Sequence, residues 1–273
     1  MGRVIAVANQ KGGVGKTTTA VNLSASLAAK GRKVLLIDLD PQGNATSGLG
    51  IDKLGLGATL YDVFSGVFSL SSVIVGTPYE SLWLAPSNSD LVGSEVELVN
   101  TQGRENIIKT QIEPLRDQFD YLFIDCPPSL GLLTVNALVA ADSLLVPLQC
   151  EYYALEGISS LMHTVTLAQE NLNRELVLEG VVLTMYDQRT NLSRQVESEA
   201  RKHFGDAVFR AVIPRSIRIS ESPSFGKPII AYDPDSIGAG AYLSLAEEFD
   251  RKFYSVKKPA AGAKRKKVAN RGA

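Results

Sequence analysis

The chain has 273 residues, 45% hydrophobic and 21% charged, with a formal net charge of −1. That is enough chain for a full core, and the composition is that of an ordinary globular protein. The near-zero charge excludes a globally basic nucleic-acid binder. No apolar run is long enough to span a bilayer, and no signal peptide opens the chain.

Apolar stretches rich in Val, Ile and Leu recur along the sequence. "VIAVA" at 4–8 reads as a first strand, and "TTTAVNLSASLAAKG" at 17–31 as a helix closed by Gly31. "KVLLIDLD" at 33–40 follows as a strand, and 50–80 reads as short helices and loops in an insertion. Further strands are expected at 121–128, 143–149, 177–186 and 207–214, with a helix at 191–205 that starts on Asn191 as cap candidate and ends on Gly205. The strand runs are near-continuous rather than alternating, which suits strands buried on both faces. Alternating strands and helices predict a doubly wound α/β fold, a mostly parallel sheet with helices on both faces. Cys126 and Cys150 lie in apolar, strand-like context and read as buried reduced thiols. From Lys257 the composition changes to "KKPAAGAKRKKVANRGA", with seven Lys or Arg and no acid. Subtracting those seven charges from −1 leaves a body of −8. Residues 1–256 are therefore expected to form one domain and 257–273 a basic, disordered tail.

The densest chemistry lies in "NQKGGVGKTTTA" at 9–20, after a strand and before a helix. Glycines there let the backbone turn tightly and bring N–H groups close to an anion. Gly12, Gly13, Val14 and Gly15 form the expected cradle, with Lys16 reaching phosphate oxygens and Thr17 offering a hydroxyl to Mg²⁺, followed by Thr18. The pattern departs from G-x-x-x-x-G-K-[ST], because Gln10 stands at the first glycine position and Lys11 adds a second cation. Asp38 and Asp40 end one strand in "IDLDP", and Asp125 ends another in "FIDCPP". Acids beside a phosphate loop suit Mg²⁺ and water handling, with Thr17, Asp40 and Asp125 as the metal candidates. The alternative for each Asp is a turn or cap.

"KGGVGKTT" resembles the deviant Walker A motif of the ParA/MinD group of P-loop ATPases. The similarity runs to about Asp250. "LLIDLDPQGNATSGLG" is similar to that group's second phosphate-proximal motif and "YLFIDCPPSLG" to its Walker B region. "EYYALEG", "MYDQRT" and "IPRSIRISESPSFGKPI" resemble the ParA/Soj chromosome-partition branch. The resemblance implies an Mg²⁺-dependent ATPase that forms an ATP-bound homodimer. In it Lys11 reaches the nucleotide of the other subunit, Asp40 handles the attacking water, and Met185 and Pro214 border the adenine. It also implies nonspecific grip on double-stranded DNA, stimulation by a ParB-type partner, and a cytoplasmic, nucleoid-associated location.

Arg189, Arg194, Arg201, Arg215 and Arg218 cluster late, with Lys202 and Lys227. They read as a solvated surface or, by the resemblance, as a phosphate-gripping face carried by Arg189, Arg215 and Arg218. The tail adds a second DNA contact or only a solubilising end. It carries none of Leu, Ile, Phe or Trp, which argues against a MinD-like membrane helix. A fused operator-reading domain is not expected ahead of a strand that begins by Arg3. An iron–sulfur reductase would need cysteines bridging a cluster, and a small-molecule kinase would leave Lys11 without a role.

Overall fold

A computed structural model describes residues 1–151, 162 and 165–257. The "EYYALEG" segment beyond Glu151 and the basic tail beyond Lys257 lie outside the described residues.

Seven strands form one sheet in the order β3-β4-β2-β5-β1-β6-β7. They are β1 (Arg3–Val7), β2 (Val34–Asp38), β3 (Val75–Gly76), β4 (Leu82–Ala85), β5 (Tyr121–Asp125), β6 (Ser143–Gln149) and β7 (Val177–Thr184). Every pairing is parallel except β3 with β4. The helices are α1 (Lys16–Ala29), α2 (Asn44–Gly48), α3 (Leu60–Phe64), α4 (Leu70–Val73), α5 (Leu91–Glu97), α6 (Ile107–Ile112), α7 (Leu132–Ala140), α8 at 165–171, α9 (Asn191–Phe204), α10 (Ile217–Glu221), α11 (Ile229–Tyr232) and α12 (Ile237–Lys257). The expected doubly wound α/β architecture is present.

The continuous apolar character of the strands follows from burial on both faces. Successive residues of β1 go to opposite sides. Val4 and Ala6 join one core with Leu35, Ile37, Leu122 and Ile124, while Ile5 and Val7 join the other with Leu36, Phe123 and Leu145. The second core is closed by α12, whose Phe249 packs edge-on against Tyr121 at 5.7 Å between ring centres and stacks on Phe209 at 6.0 Å. Asp250 on the same helix takes a bidentate pair from Arg32 and a hydrogen bond from the Tyr121 hydroxyl.

Helix α1 stops as expected. Gly31 takes φ +81°, the left-handed turn that ends a helix. Two expectations need correction. Helix α9 is capped by Thr190, whose hydroxyl accepts from the Ser193 N–H, so Asn191 is its first turn rather than its cap. Residues 207–214 do not form a strand. They run beside β7 and the residues after it, joined by isolated bridges, Val208 to Val181 and Pro214 to Tyr186, and by single backbone bonds such as Ile213 N–H to the Leu183 carbonyl at 2.8 Å. The 207–214 run was apolar because it packs in both cores, not because it ladders. Strand β4, "LWLA", lies in a region whose strand content the sequence did not reveal.

Two glycine backbones meet where the loop after α2 passes the loop after α10. Gly50 (φ +79°) and Gly226 (φ +62°) are so close that a Cβ on Gly226 would stand 2.7 Å from the Gly50 Cα. This contact fixes the segment after Asp40 against the arginine-bearing segment 215–227. Gly226→Ala should therefore lose about 2–4 kcal/mol, combining positive-φ strain with a backbone collision. Gly66→Ala, at φ +77° with nothing near the added carbon, should lose only about 1 kcal/mol. Equilibrium denaturant unfolding of the two variants checks the difference, and equal losses would remove the contact from the account.

Candidate nucleotide site

The phosphate loop leaves the carboxyl end of β1, the central position for a ligand in an open parallel sheet. Asn9 clamps its start. Its side-chain amide donates to the Pro147 carbonyl at 2.8 Å, and its Oδ1 accepts the Lys11 N–H at 3.0 Å. Thr184, at the end of β7, donates from its hydroxyl to the Val14 carbonyl at 2.8 Å. Gly13 (φ +73°) and Gly15 (φ +88°) adopt conformations that other residues resist. Gly15 is the N-cap of α1 and brings no side-chain acceptor. The N–H groups of the first turn thus remain available to an anion, with the positive end of the helix dipole behind them.

Lys16 is only 7% exposed. Burial lowers its pKa, while Asp125 and Asp40 act in the opposite sense by their charge. Its ammonium donates to the Lys11 carbonyl at 3.3 Å, so it curls back beneath the loop. Asp38 and Asp125 are register partners on adjacent strands, and both are fully buried. Burial raises the Asp38 carboxyl to about 6 against the opposing pull of two 2.7 Å bonds from Thr46, one from its N–H and one from its hydroxyl. Burial, then the charge of Asp38, pushes Asp125 well above the ordinary carboxylate range. Neither Asp125 oxygen makes a well-formed hydrogen bond, although the Thr17 hydroxyl lies beside them and lowers the pKa. Asp40 is 7% exposed and accepts the Gln42 N–H at 2.9 Å, which sets the tight turn into α2.

A fully buried carboxylate without firm partners is costly unless a cation or water shares the site. The donor set fits Mg²⁺ held largely by phosphate oxygens and water, with Thr17 and Asp125 beside it. Among the described residues no group of three or more acids, His or Cys is arranged to hold a metal unaided. Asp38 is thus better described as the anchor of Thr46 than as a metal ligand.

Beyond Gly15 and Thr18 a cavity of about 190 Å³ opens, walled by Met185, Ile213, Pro214, Ile219 and Tyr242. Met185 and Pro214 are brought together there as expected. Met185 takes φ +51°, rare for a side chain of its size. An apolar slot beside a phosphate cradle suits a flat heteroaromatic base. Ile213 belongs to the "IPR" segment expected beside the base, whereas sequence reasoning missed Thr184, Ile219 and Tyr242, which no local pattern marks.

Each of the three arginines has an acidic partner or neighbour. Arg189 is 88% exposed and is held bidentately by Asp187, at 2.9 and 2.8 Å. Those bonds pull Asp187 down to about 2. Arg215 lines the base cavity and lies with Arg189 along an open cleft that also contains Ile237. Arg218 points elsewhere, to Glu221 and Asp233, each at 3.3 Å. Cys126 and Cys150 are buried free thiols. Burial raises both, Cys150 to about 12, and neither is poised for metal or redox chemistry.

Residues 2–178 match the family model described as AAA domain. The sporulation initiation inhibitor protein Soj of Bacillus subtilis (strain 168) is 56% identical over 248 residues, covering 91% of this chain and 98% of that protein. The chromosome partitioning protein ParA of Myxococcus xanthus (strain DK1622) is 52% identical over 91% of this chain and 88% of its own length. Among solved structures, cobyrinic acid a,c-diamide synthase from Mycobacterium smegmatis with bound ADP and magnesium superposes with a TM-score of 0.83 at 40% identity, over 94% of this chain and 97% of that one. A phosphate loop with a second lysine, paired strand-end aspartates and this degree of identity lead to one conclusion: the chain belongs to the ParA/Soj family of chromosome-partitioning ATPases.

Proposed function

We propose that this protein binds ATP and Mg²⁺ at the end of β1, closes into a homodimer over two nucleotides, grips DNA without reading its sequence, and releases it after hydrolysis stimulated by a ParB-type partner. The observation that carries this reading is the buried charge cluster of Lys16, Asp40 and Asp125 under a glycine loop, with Lys11 at its exposed edge. Residues 1–256 would supply the ATPase and 257–273 a basic tail.

In this reading the loop N–H groups from Gly12 to Thr18 and the Lys16 ammonium bind the phosphates. Thr17, Asp40 and Asp125 would hold Mg²⁺, which when bound would supply positive charge against the phosphate oxygens. Asp40, fixed by the Gln42 N–H, orients the attacking water. Lys11 serves the nucleotide of the partner subunit, which makes closure and chemistry one event. Met185 and Pro214 hold the adenine between apolar walls. Arg189, Arg215 and Arg218 contact DNA phosphates, and dimerisation doubles their number. Among the described residues no helix is long and apolar enough to cross a membrane, and the tail lacks the bulky side chains a membrane-surface helix needs.

Lys16→Ala should weaken nucleotide binding by at least about a hundredfold, since it removes the one buried cation of the cradle. Titration with a fluorescent ADP measures this, and wild-type affinity would overturn the phosphate-loop assignment. Asp40→Ala should bind ATP and accumulate as a dimer with turnover reduced by about two orders of magnitude. Phosphate release and sedimentation read the two effects together, and undiminished turnover would remove Asp40 from the chemistry. Arg189→Glu combined with Arg218→Glu should abolish retention on DNA of unrelated sequence while leaving ATP-dependent dimers intact. The direct test of the whole reading is DNA retention of Asp40→Ala with ATP, ADP or neither at several salt concentrations. Dimers indifferent to DNA would refute the DNA-gripping function.

A further inference from the structure

Glu151 follows β6, and two cations from different parts of the fold converge on it. The Lys11 ammonium lies 3.6 Å from its Oε2, and the Arg215 guanidinium 3.4 Å from its Oε1. The Gln149 side-chain amide also donates to Oε1 at 2.5 Å. Lys11 comes from the phosphate loop and Arg215 from the wall of the base cavity. The Glu151 carboxylate therefore links the phosphate loop to a residue of the base-cavity wall. Among the described residues Lys11 makes no other ion pair.

An ammonium held beside a carboxylate of its own chain is less available to a phosphate held by another, because the two anions draw on the same charge and the same side-chain position. The groups are 33%, 43% and 61% exposed for Lys11, Glu151 and Arg215, so each pair is weak and readily exchanged in water. Weakness suits a contact that must open. Lys11 and Arg215 take different oxygens of one carboxylate, so they share a single negative charge and each cation weakens the other's hold by repulsion.

We propose that Glu151 is a positioning residue: it holds Lys11 on its own subunit before the dimer closes, and Arg215 sets the strength of that hold by sharing the same carboxylate. The inference rests on the reading that Lys11 acts across a dimer.

Glu151→Gln keeps the shape and an acceptor oxygen but removes the charge that restrains Lys11. It should form dimers at about two- to fivefold lower nucleotide concentration, the range expected for exposed ion pairs. Arg215→Gln leaves Lys11 as the cation on Glu151, beside the neutral Gln149 amide, and should need about two- to fivefold more. The double variant should behave as Glu151→Gln, because the competition has no object once the carboxylate is gone. A merely structural contribution would shift both single variants the same way.

The experiment uses the full chain, a non-hydrolysable ATP analogue with Mg²⁺, and no DNA. Mass is followed by sedimentation across nucleotide concentration, and ADP affinity of the monomers is measured in parallel so that dimerisation is compared at equal occupancy. Opposite shifts of the single variants support the proposal. An unmoved or raised requirement in Glu151→Gln, or a lowered one in Arg215→Gln, overturns it. A wild-type chain that stays monomeric with the analogue overturns the dimer reading and this inference together. A dimerising wild type with unmoved variants overturns this inference alone.

Discussion

The structure turns on charge that has been taken out of water at one end of a parallel sheet. Asp38 and Asp125 end two of its strands and are wholly buried, and Lys16, the first residue of α1, is 7% exposed. Burial works against every one of them, lowering Lys16 and raising Asp38 and Asp125. The rest of the molecule is built to hold them there nonetheless. Two apolar layers cover the sheet, Asn9 and Thr184 tie the loop to β6 and β7, and Thr46 neutralises part of the Asp38 demand with two short hydrogen bonds. A pocket of this kind is stable only marginally when alone, and it gains from any ligand that brings complementary charge.

Sheet order explains why these groups meet although they are far apart in sequence. β1 lies between β5 and β6, and β5 lies between β1 and β2. The register sets Val7 beside Asp125 and Asp125 beside Asp38. Three parallel strands thus end at one level, delivering the glycine loop and two carboxylates to the same place. Among the described residues the one antiparallel strand, β3, sits at the far edge and takes no part.

Much of this was legible because the sequence signals are local. A glycine run between an apolar strand and a helix, or an aspartate ending an apolar run, each carries its own physical reason. The parts that were not legible depend on tertiary contact. Glu151 is an unremarkable acid until the fold brings Lys11 and Arg215 to it. Thr184 looks like the end of any strand until its hydroxyl reaches the Val14 carbonyl. Thr190 capped α9 in place of Asn191 because the chain enters that helix one residue earlier than the apolar spacing suggested. The 207–214 segment has strand composition but only two bridges, since its burial comes from packing over β7 rather than from a ladder. Arg215 and Arg218, three apart, were expected on one face. No spacing rule gives their partners, Glu151 for Arg215 and Glu221 with Asp233 for Arg218.

Each proposed DNA-contacting arginine already has an acidic neighbour: Asp187 for Arg189, Glu151 for Arg215, and Glu221 with Asp233 for Arg218. The standing positive field of a monomer is therefore small, in keeping with a net charge of −1. Under the proposed function this is an advantage. Three phosphate contacts would give a salt slope of about −2.7, so a rise from about 50 to 200 mM would cost roughly fortyfold in affinity. Six contacts on a dimer would give about −5.4 and a loss of roughly two-thousandfold over the same range. Steepness grows with contact number, so at low salt the dimer gains far more than the monomer. Pairing two weakly basic surfaces through a shared nucleotide site then makes DNA retention a readout of dimerisation, without any residue having to read a base.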